Sequence, residues 1–195
     1  LTGHKFPTGF PSRRAWIHLT VLDAAGSAVF ESGGPLPSGA IAGNDNDADG
    51  ATFEPHYELI TDPGQVQIYE AIIGNTDGEV TTTLLRGARY LKDNRLLPAG
   101  FDTAAASADI LPAGIAPGDR DFAAGGDMVT FEIDVTGASG PFAVEAELLF
   151  QAIGFRWLDD LLGAPGDEIT GLSGMIATVP NLPARVAGDV ATAGD

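Results

Sequence analysis

The sequence predicts an all-β protein: one antiparallel, β-sandwich-like domain with long loops and one or two short helices. Three observations point there. The 195 residues include 26 Gly and 13 Pro, a turn-rich composition that works against long helices. Several segments alternate apolar and polar residues with period two, and Gly-bearing loops join consecutive apolar runs. Hydrophobic residues make up 44% of the chain, enough to fill a core, so a wholly disordered acidic chain is excluded.

The first strand runs from Ala15 to Leu22 and is apolar at nearly every position, as a strand covered on both faces must be. Asp23 to Ser27 interrupts it, and Ala28 to Ser32 resumes it as the second arm of a hairpin. Val66 to Ile73 forms another strand, which Asn75-Thr76-Asp77-Gly78 turns toward Val80 to Leu85. The stretch from Pro98 to Asp127 reads as long loops. Val129, Phe131, Ile133 and Val135 share one face of a strand, and Phe142, Val144, Ala146, Leu148 and Phe150 share one face of the next. The loop from Thr136 to Pro141 joins these two as a second hairpin. Phe155 to Leu162 is a two-turn helix stopped by Gly163 and Pro165. The domain is placed at residues 1–179. Residues 180–195 are Pro/Ala/Gly-rich and form an extended tail that wraps the surface or frays.

Charge narrows the partners. The 27 Asp/Glu against 10 Lys/Arg give −17, which repels nucleic acid and anionic membrane surfaces and attracts cations. No run of eighteen apolar residues exists to span a bilayer. The opening Leu1-Thr2-Gly3-His4 lacks Met and reads as the mature end of an exported protein, secreted, displayed at the cell surface or periplasmic. The absence of Cys excludes disulfides, thiolate-bound zinc, iron–sulfur clusters, thiol nucleophiles and covalent c-type haem within this chain.

Two metal sites are expected. Asn44-Asp45-Asn46-Asp47-Ala48-Asp49-Gly50 carries D-x-D-x-D-G, in which alternate carboxylates of a tight loop converge on a hard cation. Asp45, Asp47 and Asp49 are the candidate calcium ligands. The loop departs from an EF-hand, because the twelfth position is His56 and no amphipathic helices flank it; Glu54 or Glu58 would have to complete the shell. The second site uses the histidines. His4, His18 and His56 are the three imidazoles of the chain. Trp16 and His18 stand two apart on a strand, on one face, and His56 follows the acidic loop. Should that loop fold against the strand, His18 and His56 would meet around copper or zinc. The competing reading is a hydrogen-bonded histidine on a strand. For His4 it is a turn residue bonded to the backbone.

Other motifs are absent or plain. There is no G-x-S-x-G, H-E-x-x-H, Walker loop or G-x-G-x-x-G. A glycosidase-like carboxylate pair arises by chance in so acidic a chain. Arg13-Arg14 is expected to pair with carboxylates, and Tyr57 and Tyr69 to pack in the core or border a site.

Two resemblances add to this reading. Gly3-His4-Lys5-Phe6-Pro7-Thr8-Gly9-Phe10-Pro11-Ser12-Arg13-Arg14-Ala15-Trp16-Ile17-His18 resembles a segment of the haem-free C-terminal region of bacterial multihaem c-type cytochromes. So do Asp45-Asn46-Asp47-Ala48-Asp49, Phe53-Glu54-Pro55-His56-Tyr57, Gln67-Ile68-Tyr69-Glu70-Ala71 and Tyr90 to Pro98. No C-x-x-C-H is present, so an electron-transfer role does not carry over. The Trp-x-His element also resembles the surface-associated copper-binding proteins of methane-oxidising bacteria. That resemblance implies a mononuclear copper held by His18, His56 and Trp16 oxidised to kynurenine, with calcium at Asp45, Asp47 and Asp49; Cu(I) is the state expected, since it accepts low coordination numbers. The first function expected is therefore an exported copper-binding protein for uptake, storage or display, without turnover. The alternative is a haem-free accessory or docking domain for a c-type cytochrome or outer-membrane partner. A copper-dependent oxidase is a weaker third reading.

Overall fold

The computed structural model describes residues 3–194. Leu1-Thr2, part of the expected processed start, and Asp195 lie outside the described residues.

Among the described residues, nine strands and three α-helices occur in chain order: β1 (Arg14–Leu22), β2 (Ala28–Ser32), α1 (Asp45–Ala48), β3 (Leu59–Ile60), β4 (Ile68–Tyr69), β5 (Ala71–Gly74), β6 (Arg89–Asp93), β7 (Thr130–Phe131), β8 (Phe142–Gln151), α2 (Phe155–Leu162), α3 (Asp167–Thr178) and β9 (Ala184–Ala193). The main sheet has the order β2-β1-β8-β9, with β4 on β1 beside β2, and all of its pairings are antiparallel. β1 is its centre, as the continuous apolar run predicts. Its even positions face one layer: Trp16 packs with Ile41, Val66, Ile68 and Leu149. Its odd positions face another, where Leu19 and Val21 pack with Phe30 and Ile60, and Ile17 packs against the cluster of Tyr69, Leu97, Ala116 and Phe122.

The chain is β-rich, but the sandwich is not confirmed. Over the odd face, Ile60 of β3 and Phe131 of β7 pack from a small two-stranded sheet, and β5-β6 forms a second small sheet, so the strands outside the main sheet do not join into one opposing sheet. β3 and β7 pair in parallel, against the antiparallel expectation. The predicted hairpin between Val129–Val135 and Phe142–Phe150 does not form. β8 is already flanked by β1 and β9, so no edge is left for β7. The face assignment nevertheless holds, since Val129, Phe131 and Ile133 pack against the Leu19–Val21–Phe30–Ile60 cluster. The single strand expected over Val66–Ile73 divides at Glu70. Residues before it pair with β1, and residues after it pair with β6 in a different sheet.

α2 has the expected bounds and ends at Gly163. α3 was not expected; none of its side chains is fully buried, and Gly171 and Gly174 weaken its helical signal, although Ile169, Leu172 and Ile176 recur at helical spacing. The expected tail contains β9, which pairs with β8 from Phe142↔Ala193 to Phe150↔Ala184 and remains exposed at every position.

A candidate metal centre beneath the central strand

The expected copper ligands do not come together. Trp16 is 1% exposed, and its indole N–H donates to the Gly33 carbonyl at 2.8 Å. Gly33 has φ +75°, and a Cβ there would stand 2.6 Å from the Ile17 carbonyl, so glycine lets this segment close over the indole. His18 lies on the same face but contacts different groups. Its Nδ1 is 3.2 Å from Glu147, opposite it on β8, and its Nε2 is 3.0 Å from Glu31 and 3.3 Å from the Thr20 hydroxyl. His56 packs edge-on against Phe122, in the cluster that receives the odd-side Ile17. The main sheet therefore separates His18 from His56. The sequence placed Trp16 and His18 on one face but left open which face of the sheet the distant His56 would reach. His4 bonds its Nδ1 to the Lys5 carbonyl at 2.9 Å, as a turn residue does.

The expected calcium ligands also diverge. Asp45 to Ala48 is a helical turn capped by the Asn44 side chain, not an open loop. Asp47 turns inward and pairs with Arg14 at 2.8 Å while accepting the Ile41 N–H at 2.8 Å. Asp49 caps its own loop by accepting the Ala51 N–H. Glu54 accepts from the Asp45 N–H and the Tyr57 hydroxyl instead of completing a cation shell. Burial is the largest influence on Glu54 and pushes its carboxyl up; these hydrogen bonds offset it only in part. Alternate spacing converges in an extended loop. Helical rotation sends the same side chains in different directions.

Among the described residues, one group of three His or acidic side chains brings a ligand atom from each within 4.8 Å of the others: His56, Asp119 and Asp127. His56 Nε2 lies 3.0 Å from Asp119 Oδ2 and 3.9 Å from Asp127 Oδ1, and all three side chains are 1% exposed. Asp119 Oδ1 accepts the Asp121 N–H at 3.0 Å. Burial opposes ionisation of Asp119, but hydrogen bonds from His56 and the backbone N–H groups of Asp121 and Phe122 outweigh it and hold the carboxyl below its usual value. Asp127 Oδ2 accepts from the Tyr69 hydroxyl at 2.7 Å and Gln67 Nε2 at 3.1 Å. Burial first, then the Asp127 charge, pushes the Tyr69 hydroxyl far up, so it stays a donor. Asp127 Oδ1 is buried without a partner.

Gln67 and Tyr69 reach this point because the β4 segment sends alternate residues to the odd face. His56 arrives from the irregular segment before β3. Asp119 and Asp127 come from the loops between β6 and β7. A cleft of about 560 Å³, lined by Leu97, Phe101, Arg120 and Phe122, has Asp119 in its wall. Among the described residues, no Lys or Arg pairs with Asp119 or Asp127. Two buried carboxylates without a cationic partner are costly, and a bound cation is one way to offset that.

No family model and no curated protein matches the chain. Among solved structures, the chain is similar to a penta-heme cytochrome c552 from Thermochromatium tepidum, with 16% identity and a TM-score of 0.49. The match covers 99% of this chain and 34% of that one, so the chain spans about a third of that protein's length.

Proposed function

We propose that this chain is a haem-free, metal-binding β-domain whose ion site is the buried group that His56, Asp119 and Asp127 form, and that it performs no turnover. The observation that carries this reading is the Oδ1 of Asp127, buried, without a hydrogen-bond partner and 3.9 Å from His56 Nε2, at a group whose carboxylates pair with no Lys or Arg among the described residues. Copper is the ion implied by the sequence resemblance, through Trp16, His18 and His56. In this reading the ion site lies instead at the group that contains His56, with Asp119 and Asp127 in place of Trp16 and His18, and it does not depend on copper. The domain acts outside the cytoplasm, at the cell surface or in the periplasm. None of the helices in the described residues is long and apolar enough to cross a membrane. The test is elemental analysis of the purified protein, followed by calorimetric titration of metal-stripped protein. A stoichiometric ion that is lost in Asp127→Asn and kept in His18→Ala supports the assignment. No binding of any divalent or monovalent transition ion, calcium or manganese refutes it.

A second reading is an accessory domain docked on a c-type cytochrome. The charge of −17 favours it, because such a surface is drawn to a basic partner face. Salt-sensitive co-elution with a basic c-type cytochrome, independent of metal, is its expected signature.

A further inference from the structure

We infer that the ion at this centre is an oxygen-seeking divalent cation of the Ca²⁺ or Mn²⁺ class, bound by the carboxylates of Asp119 and Asp127, with His56 serving as an N–H donor to Asp119 rather than as a ligand. This deepens the metal-binding reading and rests on it.

The argument starts at the other nitrogen of the ring. His56 Nδ1 faces two amide groups, Gln67 Nε2 at 2.9 Å and Asn94 Nδ2 at 3.2 Å. Neither amide is free to turn over. Gln67 Oε1 accepts the Tyr57 N–H at 2.8 Å, and its Nε2 also donates to Asp127. Asn94 Oδ1 accepts the Glu70 N–H at 3.0 Å, and its Nδ2 also donates to the Ile68 carbonyl at 2.9 Å. Flipping either amide would set an NH₂ group against a backbone N–H and lose a buried bond. Both groups therefore donate to Nδ1, which must carry a lone pair. The single proton of the neutral ring then sits on Nε2 and is donated to Asp119 Oδ2.

A nitrogen that bears a proton has no in-plane lone pair for a metal. Ligating histidines show the opposite pattern, donating their second N–H to a carboxylate, carbonyl or water. Here the neighbours of Nδ1 are donors, fixed by β4 and by the end of β6. The remaining donors at the centre are carboxylate oxygens: the unpartnered, buried Oδ1 of Asp127 and the second lone pair on Asp119 Oδ2. Carboxylate oxygens with water in the open positions suit Ca²⁺, Mn²⁺ or Mg²⁺ and select against Cu(I), which prefers sulfur and imidazole.

The experiment is ¹⁵N NMR of histidine-labelled protein, with and without Ca²⁺, alongside calorimetry with Ca²⁺, Mn²⁺, Zn²⁺ and Cu(I). The expected result is a His56 ring protonated at Nε2 in both states. Ca²⁺ or Mn²⁺ should bind more tightly than Zn²⁺ or Cu(I). Asp127→Asn should abolish binding. His56→Gln, which keeps an N–H donor, should hold affinity within about tenfold. A His56 Nε2 resonance that moves to a metal-bound position with Zn²⁺ or Cu(I), and binding lost in His56→Gln, overturn this inference and leave the metal-binding reading standing. Absence of binding by all four ions overturns both. The wild-type tautomer can be read even if His56→Gln does not fold.

Discussion

Replacing Arg14 by Ala should destabilise the fold more than most single substitutions, and the structure says by how much. Arg14 is 3% exposed and makes three hydrogen bonds: to Asp47 at 2.8 Å, to Gln151 at 2.8 Å and to the Gly39 carbonyl at 3.0 Å. Truncation leaves the Asp47 carboxylate buried, with the Ile41 N–H as its remaining short contact from that side. Removing one member of a buried ion pair costs about 3–5 kcal/mol, mostly because the other charge is stranded. With a urea m-value of about 2 kcal/mol/M, the unfolding midpoint should fall by about 1.5–2.5 M. Asp47→Leu combined with Arg14→Met should recover most of that loss, because an apolar pair strands no charge. Urea denaturation followed by tryptophan fluorescence measures all three proteins. A loss below about 1 kcal/mol in Arg14→Ala would refute the stranded-charge argument. So would a double variant no better than the single one. The same cycle tests the role of Asp47, which the structure commits to Arg14 rather than to a cation.

Three further predictions follow from single contacts. Trp16→Phe leaves the Gly33 carbonyl without its donor and the core short of volume, and should cost about 2–4 kcal/mol by urea denaturation; a shift under about 0.5 kcal/mol contradicts this. Gly33→Ala should cost more than about 1 kcal/mol, since φ +75° and the 2.6 Å approach to the Ile17 carbonyl both oppose a Cβ; a neutral variant would count against it. Glu54 holds its proton more tightly in the folded state than in the unfolded chain, chiefly through burial. The associated stability is present below the unfolded value of 4.5 and is lost as pH rises through the raised folded value. Glu54→Gln should remove that part of the pH dependence, so the variant gains on wild type as pH rises from 4 toward neutrality. A difference between the two that stays constant across this range would rule the mechanism out.

What could be read from the sequence depended on how each feature is encoded. β1 was legible because a central strand covered on both faces must be apolar throughout. Val129 to Ile133 revealed which face they bury but not which strand they join, since alternation specifies a face and leaves the neighbour open. β9 was illegible for the opposite reason. Its side chains are exposed on both faces, so they show no alternation, and it is attached through its backbone. At the candidate centre, His56 stood out as one of three histidines. Asp119 and Asp127 did not, because in a chain with 27 acidic residues a buried aspartate in a glycine-rich loop looks like a solvated one. Gln67 and Asn94 were silent as well. Their role lies in amide orientation, which no spacing rule reports. Tyr69 was noted as a border residue, and its hydroxyl does meet Asp127.

The exposed outer strand carries a consequence for how the molecule opens. β9 adds a ladder to β8 and one surface ion pair, Arg185 with Glu147, but contributes no buried side chain. Amide protons on this last ribbon should therefore exchange with solvent well before those of β1, by peeling rather than by global unfolding. Each such excursion bares the flank of β8, so β9 works as a sacrificial margin that keeps the inner strands from meeting other chains.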